Sequence, residues 1–180
     1  MKVEIGQYPS DNDIFDEQQV SVHIDPWDTW NMDATLAYIA LPMLKQLKET
    51  KQGSPFVDDE DVPHLPKQGV ASSESMQYDL FQSEKHDELI WEQTHERWDW
   101  VLNEIIFAFE SKVGWNKEWD SKYWYGESDL YFEELEDGTS ELKKGPNHTR
   151  VWDKEGYFKE ADRIANGFRL FGKYYQGLWD

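Results

Sequence analysis

The stretch from Glu84 to Lys112, EKHDELIWEQTHERWDWVLNEIIFAFESK, constrains the fold more than any other part of the chain. On a 3.6-residue period, Trp91, Trp98, Leu102, Ile105, Ile106 and Phe109 fall on one broad apolar stripe. Leu89, Trp100 and Phe107 form a second line nearly opposite. A helix with two apolar faces has to be covered from two directions, so this one is expected to be central, with the other elements built around it.

Two further helices are expected. Asp28 or Thr29 can cap the first, which runs to about Lys51 and buries Met32, Leu36, Ile39, Ala40, Met43, Leu44 and Leu47, with a kink at Pro42. Asp33 sits on that stripe and reads as a partner for the helix N-terminus or a Trp N–H. The second spans about Lys154 to Trp179 and buries Tyr157, Ala161, Ile164, Ala165, Phe168, Phe171, Tyr175 and Leu178. Leu170 and Tyr174 lie off this stripe, placed to meet another element or a second subunit.

Short strands complete the expectation. Lys2–Gly6 and Gln19–Asp25 alternate apolar and polar residues, with Val20, Val22 and Ile24 toward the core. Leu130–Lys144 reads as a hairpin turning at Asp137-Gly138, and Thr149–Trp152 as one more short strand. The fold class is therefore α+β: three main helices, the one at about 84–112 central, with short antiparallel strands. One domain spans 1–180, and the polar, Ser-rich stretch 67–83 is a mobile loop.

Charge excludes several partners. The chain carries a formal net charge of −19, which repels long nucleic acids and anionic membranes. No apolar run reaches the length of a membrane span, and the opening MKVEIGQYPSDND lacks the apolar core of a secretory signal. The charge is uneven. Residues 143–180 hold eight basic and five acidic residues, a net of +3, while residues 1–142 hold ten and 32, a net of −22.

Four stretches carry a resemblance: 24–63 (IDPWDTWNMDATLAYIALPMLKQLKETKQGSPFVDDEDVP), 97–110 (RWDWVLNEIIFAFE), 144–149 (KGPNHT) and 163–180 (RIANGFRLFGKYYQGLWD). Over these, nearly half of its length, the chain resembles a family of tailed-phage proteins found in marine and enterobacterial phages. The resemblance brings no catalytic residues with it. It implies a context, namely the cytoplasm of an infected bacterium or the virion.

Catalytic chemistry finds little support in the residues. There is no cysteine, no nucleophile elbow and no glycine-rich phosphate loop, so an enzyme is not expected. Glu92-x-x-His95, with Glu88 one turn earlier, is half of a di-metal carboxylate site, but no other long helix supplies a second histidine. Asp11, Asp13 and Asp16 lack the glycine and closing glutamate of a calcium loop. The run Asp58–Asp61 reads as a solvated surface, with Mg²⁺ binding as the alternative. No cofactor is implied.

The basic C-terminal end is the strongest lead. Arg150, Arg163, Arg169 and Lys173 suit phosphate oxygens, and Trp152 and Tyr174 suit a stacked base. The expectation is a non-catalytic phage protein that captures a small anionic nucleotide signal as counter-defence. Two alternatives stand beside it. One is an acidic inhibitor that imitates nucleic acid and blocks a basic host protein. The other is a virion or assembly component, as a homo-oligomer.

Overall fold

Glu84–Lys112 lies within a 31-residue helix, and that helix is the axis of the molecule. The computed structural model describes residues 2–5, 20–65, 83–113 and 121–179, and only the backbone of residues 4–5 and 83–90. The stretches 66–82, which includes most of the expected loop, and 6–19, with its three aspartates, lie outside the described residues. The order is β1 (Lys2–Ile5), β2 (Val20–His23), α1 (Met32–Thr50), α2 (Ser83–Val113), β3 (Trp124–Tyr125), β4 (Leu130–Glu134), β5 (Ser140–Lys144), β6 (Val151–Trp152) and α3 (Lys154–Lys173). Among the described residues the fold is α+β: three long helices and three two-stranded antiparallel sheets, β1–β2, β3–β6 and β4–β5.

Helix α2 packs α1 on one side and α3 on the other, as its two apolar lines require. Trp98, Val101, Leu102, Ile105 and Phe109 are its buried residues in the core, and each such side chain contributes on the order of 2 kcal/mol by leaving water. Trp91, at the start of the expected stripe, is exposed, with its ring edge-on to His95. The crossing with α3 is close. A methyl group on Gly167 would lie 2.4 Å from the Glu104 carbonyl oxygen and 2.6 Å from Ala108 Cβ, so only a glycine lets the backbones approach this far.

A strap, residues 53–65, closes the core from a third direction. It follows α1 directly and turns Val57 and Val62 fully inward, against Trp98, Leu170 and Tyr174. The buried Arg97 holds it. Its Nη2 donates to the Val57 carbonyl at 3.0 Å and to Asp59 Oδ1 at 2.6 Å. Ser54 Oγ bonds His95 Nδ1, and the ring of His64 lies 4.8 Å from that of Trp100.

Each flanking helix buries part of its expected stripe. In α1 the core residues are Ala37 and Leu44, with Ala40, Leu41 and Leu47 beside them, whereas Met32, Leu36 and Met43 stay exposed. In α3 the most buried residues are Gly167, Leu170 and Tyr174, while Tyr175 is exposed. Leu170 and Tyr174 therefore meet another element of the same chain and are closed to a second subunit. The buried face of α1 shares Ala40, Leu44 and Leu47 with the expected stripe, and Phe168, Phe171 and Leu178 of the expected C-terminal stripe pack against the core.

The sheets are small. β4 and β5 pair Leu130 with Lys144 and Phe132 with Leu142, and turn through Gly138 at φ +82°. Among the described residues no helix backs β4–β5 or β1–β2, so Val20, Val22 and Ile24 face out rather than into the core. A two-stranded ribbon with no layer behind it has nothing to bury its apolar face against. No helix among the described residues is long and apolar enough to cross a membrane.

Candidate functional site

Three cations of α3, Arg163, Arg169 and Lys173, meet carboxylates that the tertiary fold brings to them. Arg163 faces α2. Its Nε and Nη2 donate to the two oxygens of the buried Glu104 at 2.8 and 2.7 Å, and its guanidinium lies 3.8 Å from the centre of the Phe107 ring. This is a two-pronged, charge-assisted pair braced by an aromatic face.

Arg169, Lys173 and Tyr174 lie about two and three turns further along and converge on the strap. Arg169 Nη2 donates to Asp61 Oδ1, and Lys173 Nζ and the Tyr174 hydroxyl to Asp61 Oδ2, each at 2.6 Å. Lys173 also pairs with Asp58 at 2.6 Å, and the Asp58 backbone N–H donates to the Tyr174 hydroxyl at 3.0 Å. Asp61 is only 5% exposed. Burial pushes its carboxyl up, but the donors from Lys173, Tyr174 and Arg169 together prevail and hold it at about 2. The carboxylates of Asp58 and Asp61 in turn raise the Lys173 ammonium above its ordinary value. Asp58 and Glu60 of the acidic run stay exposed, as a solvated run would, but the buried Asp61, together with Asp58, clamps the strap to α3.

Arg150 has a different environment. Of the four arginines in the chain, Arg97, Arg163 and Arg169 are each bound to a carboxylate. Arg150 has no carboxylate within ion-pair distance among the described residues. Its guanidinium lies 4.7 Å from the centre of the Trp124 ring. Trp124 pairs with Trp152 across β3–β6, the two rings 6.0 Å apart and inclined by 21°. Tyr157 and Phe158, on the first turn of α3, lie 5.4 and 6.2 Å from Trp152. Lys154 Nζ lies 5.7 Å from the Phe158 ring. Trp124 and Trp152 remain 40% and 38% exposed, so the aromatic surface is open to solvent.

Local chemistry fixes this platform. Gly126 sits at φ +84°, and a Cβ there would meet the Thr149 carbonyl oxygen at 2.4 Å, so the glycine lets the chain turn out of β3 alongside the 144–149 segment. In that segment the Gly145 N–H donates to the Asp129 carbonyl at 2.9 Å and the Asn147 N–H to Asp129 Oδ2 at 2.9 Å. The Asp153 side chain caps α3 by accepting from the Gly156 N–H at 2.9 Å. Arg150 and Trp152 are thus held between an anchored turn and a capped helix.

The six expected ligand residues therefore fall into three places. Arg150 and Trp152 come together, Arg169, Lys173 and Tyr174 meet on Asp61, and Arg163 stands with Glu104. Trp124 completes the first group. It was not legible because its stretch has no period, although an aromatic pair before Gly126 is a strand-and-turn signal. Of the metal candidates, Glu92 is exposed, His95 is bonded to Ser54, and the Glu88 side chain lies outside the described residues. Among the described residues no three His, Asp or Glu side chains gather in a metal-binding arrangement. Comparison of the chain with protein-family models, curated proteins and solved structures gives no match.

Proposed function

We propose that the protein is a non-catalytic binding protein that takes a small anionic nucleotide on the Trp124–Trp152 platform, with Arg150 as its phosphate contact. The observation that carries this reading is the environment of Arg150. It is the one arginine with no carboxylate partner among the described residues, and it lies against an exposed, stacked tryptophan pair. Base–aromatic stacking contributes about 1–3 kcal/mol per base, and a guanidinium binds phosphate through a planar, two-pronged contact. The net charge of −19 resists long polyanions, whereas a compact nucleotide needs only one local cationic contact. The resemblance to tailed-phage proteins gives such capture a setting, the removal of a defence signal in an infected bacterium.

Calorimetric titration with a panel of mono-, di- and cyclic nucleotides tests the reading. One member of the panel is expected to bind, with affinity falling about 30-fold or more on Trp152→Ala and on Arg150→Glu. Binding that survives both substitutions, or a panel with no binder, counts against it. Co-purification of a basic host protein in place of a nucleotide favours the mimicry alternative.

A further inference from the structure

Helix α1 leaves a second apolar stripe uncovered among the described residues. Met32, Leu36 and Met43 are 57%, 49% and 61% exposed, with the half-buried Ile39 between them. At 100° per residue these four fall within about 60° of one another, beside the face of Ala37, Ala40, Leu41, Leu44 and Leu47 that packs into the core. The 3-10 turn leading into the helix adds Trp27 and Trp30, each 77% exposed, with ring centres 6.1 Å apart. Isolated exposed apolar residues are ordinary on a protein surface. A lengthwise stripe headed by two open tryptophans marks a surface that is meant to be covered.

Charge indicates what covers it. Almost a third of the chain is charged, yet residues 34–44 contain no charged residue at all. Thr35, Pro42 and Gln46 border the stripe on its open side. A basic partner would require acidic residues along this rim, and an anionic membrane or nucleic acid would require basic ones. Neither is present. An uncharged helical stripe is complementary to itself, because two antiparallel copies place Met32 against Met43 and Leu36 against Ile39 and strand no charge.

The area agrees. The exposed parts of Trp27, Trp30, Met32, Leu36 and Met43 amount to roughly 700 Å², close to the roughly 800 Å² that each partner of a stable complex buries.

We infer that the chain forms a two-fold dimer in which α1 packs antiparallel against α1 of a second copy, with Trp27 and Trp30 closing the ends. The surface is separate from the Arg150 platform, so the dimer stands or falls independently of nucleotide binding.

Sedimentation equilibrium of the full chain, without nucleotide, tests this. The expected mass is twice 21.4 kDa at micromolar concentration. Met43→Lys and Leu36→Gln are each expected to raise the dissociation constant about 30-fold or more. Both positions are already exposed within one copy, so the circular dichroism spectrum should not change. Tyr38→Lys, on the other flank of α1, should leave the dimer intact. A monomer at about 100 μM, a dimer indifferent to Met43→Lys and Leu36→Gln, or equal dissociation by Tyr38→Lys each overturns the proposal.

Discussion

Asp61→Ala is expected to destabilise the protein by about 3 kcal/mol, because it removes one carboxylate that satisfies three donors at once. Arg169 and Lys173 are partly exposed and can turn to water, which limits the loss. The Tyr174 hydroxyl is buried and keeps only its contact with the Asp58 N–H. The substitution should also change the acid limb. The folded-state pKa of Asp61 is depressed to about 2 from 3.8, so its contribution is complete above pH 4 and is lost as pH falls through 2. That interval represents about 2 kcal/mol, a slope the wild type has and the variant lacks. Urea unfolding at pH 7 and at steps from pH 5 to 2 measures both effects. Curves for the two proteins that stay parallel through the acid range would mean that Asp61 is not the clamp.

At the crossing of α2 and α3, Gly167→Leu is expected to cost about 3 kcal/mol, and Gly167→Ala about 1 kcal/mol. The sign for alanine is the informative part. In an open helix, Gly→Ala stabilises by nearly 1 kcal/mol. Here the new Cβ meets the Glu104 carbonyl at 2.4 Å, a backbone atom that cannot swing aside, so the helices must separate. Thermal unfolding should place the leucine variant roughly 6–12 °C below the wild type. The Arg163–Glu104 pair bridges the same two helices and should loosen with it. A Gly167→Ala variant as stable as the wild type, or more so, would show that the crossing is wider than described.

How much of this was legible follows from the range of each interaction. Helix α2 could be read because Trp98, Leu102, Ile105 and Phe109 repeat within one element. The β4–β5 hairpin could be read because Asp137-Gly138 specifies a turn by local backbone chemistry. The stripes of α1 and α3 are legible in part: Ala40, Leu44 and Leu47 of the first and Phe168, Phe171 and Leu178 of the second do pack into the core, whereas Met32, Leu36, Met43 and Tyr175 stay exposed. The strap that brings Val57 and Val62 into the same core has no period of its own. The cations were found, but their fates were not. Arg169 meets Asp61 across 108 residues and Arg163 meets Glu104 across 59, and no local pattern encodes such pairs. Asp58–Asp61 resembled a solvated charge run because charge was all the sequence displayed. Only Asp61 of the run is buried, next to the inward-turned Val62.

The same distinction separates the two halves of the candidate site. Arg150 and Trp152 lie two residues apart, so an extended strand was enough to place them near each other. Trp124 arrives by strand pairing from 28 residues away, and it converts a lone arginine beside a tryptophan into a platform.

Arg163, Arg169 and Lys173 are committed to carboxylates, and Arg150, the one arginine without such a partner among the described residues, is the proposed ligand contact. Native mass spectrometry of the protein recovered from phage-infected bacteria with an active nucleotide defence tests that assignment most directly, with Arg150→Glu and Arg163→Gln compared with the wild type. The account predicts an adduct of nucleotide mass on the wild type and on Arg163→Gln, and none on Arg150→Glu. An adduct that persists on Arg150→Glu and vanishes on Arg163→Gln would contradict it, and so would a wild type that carries none.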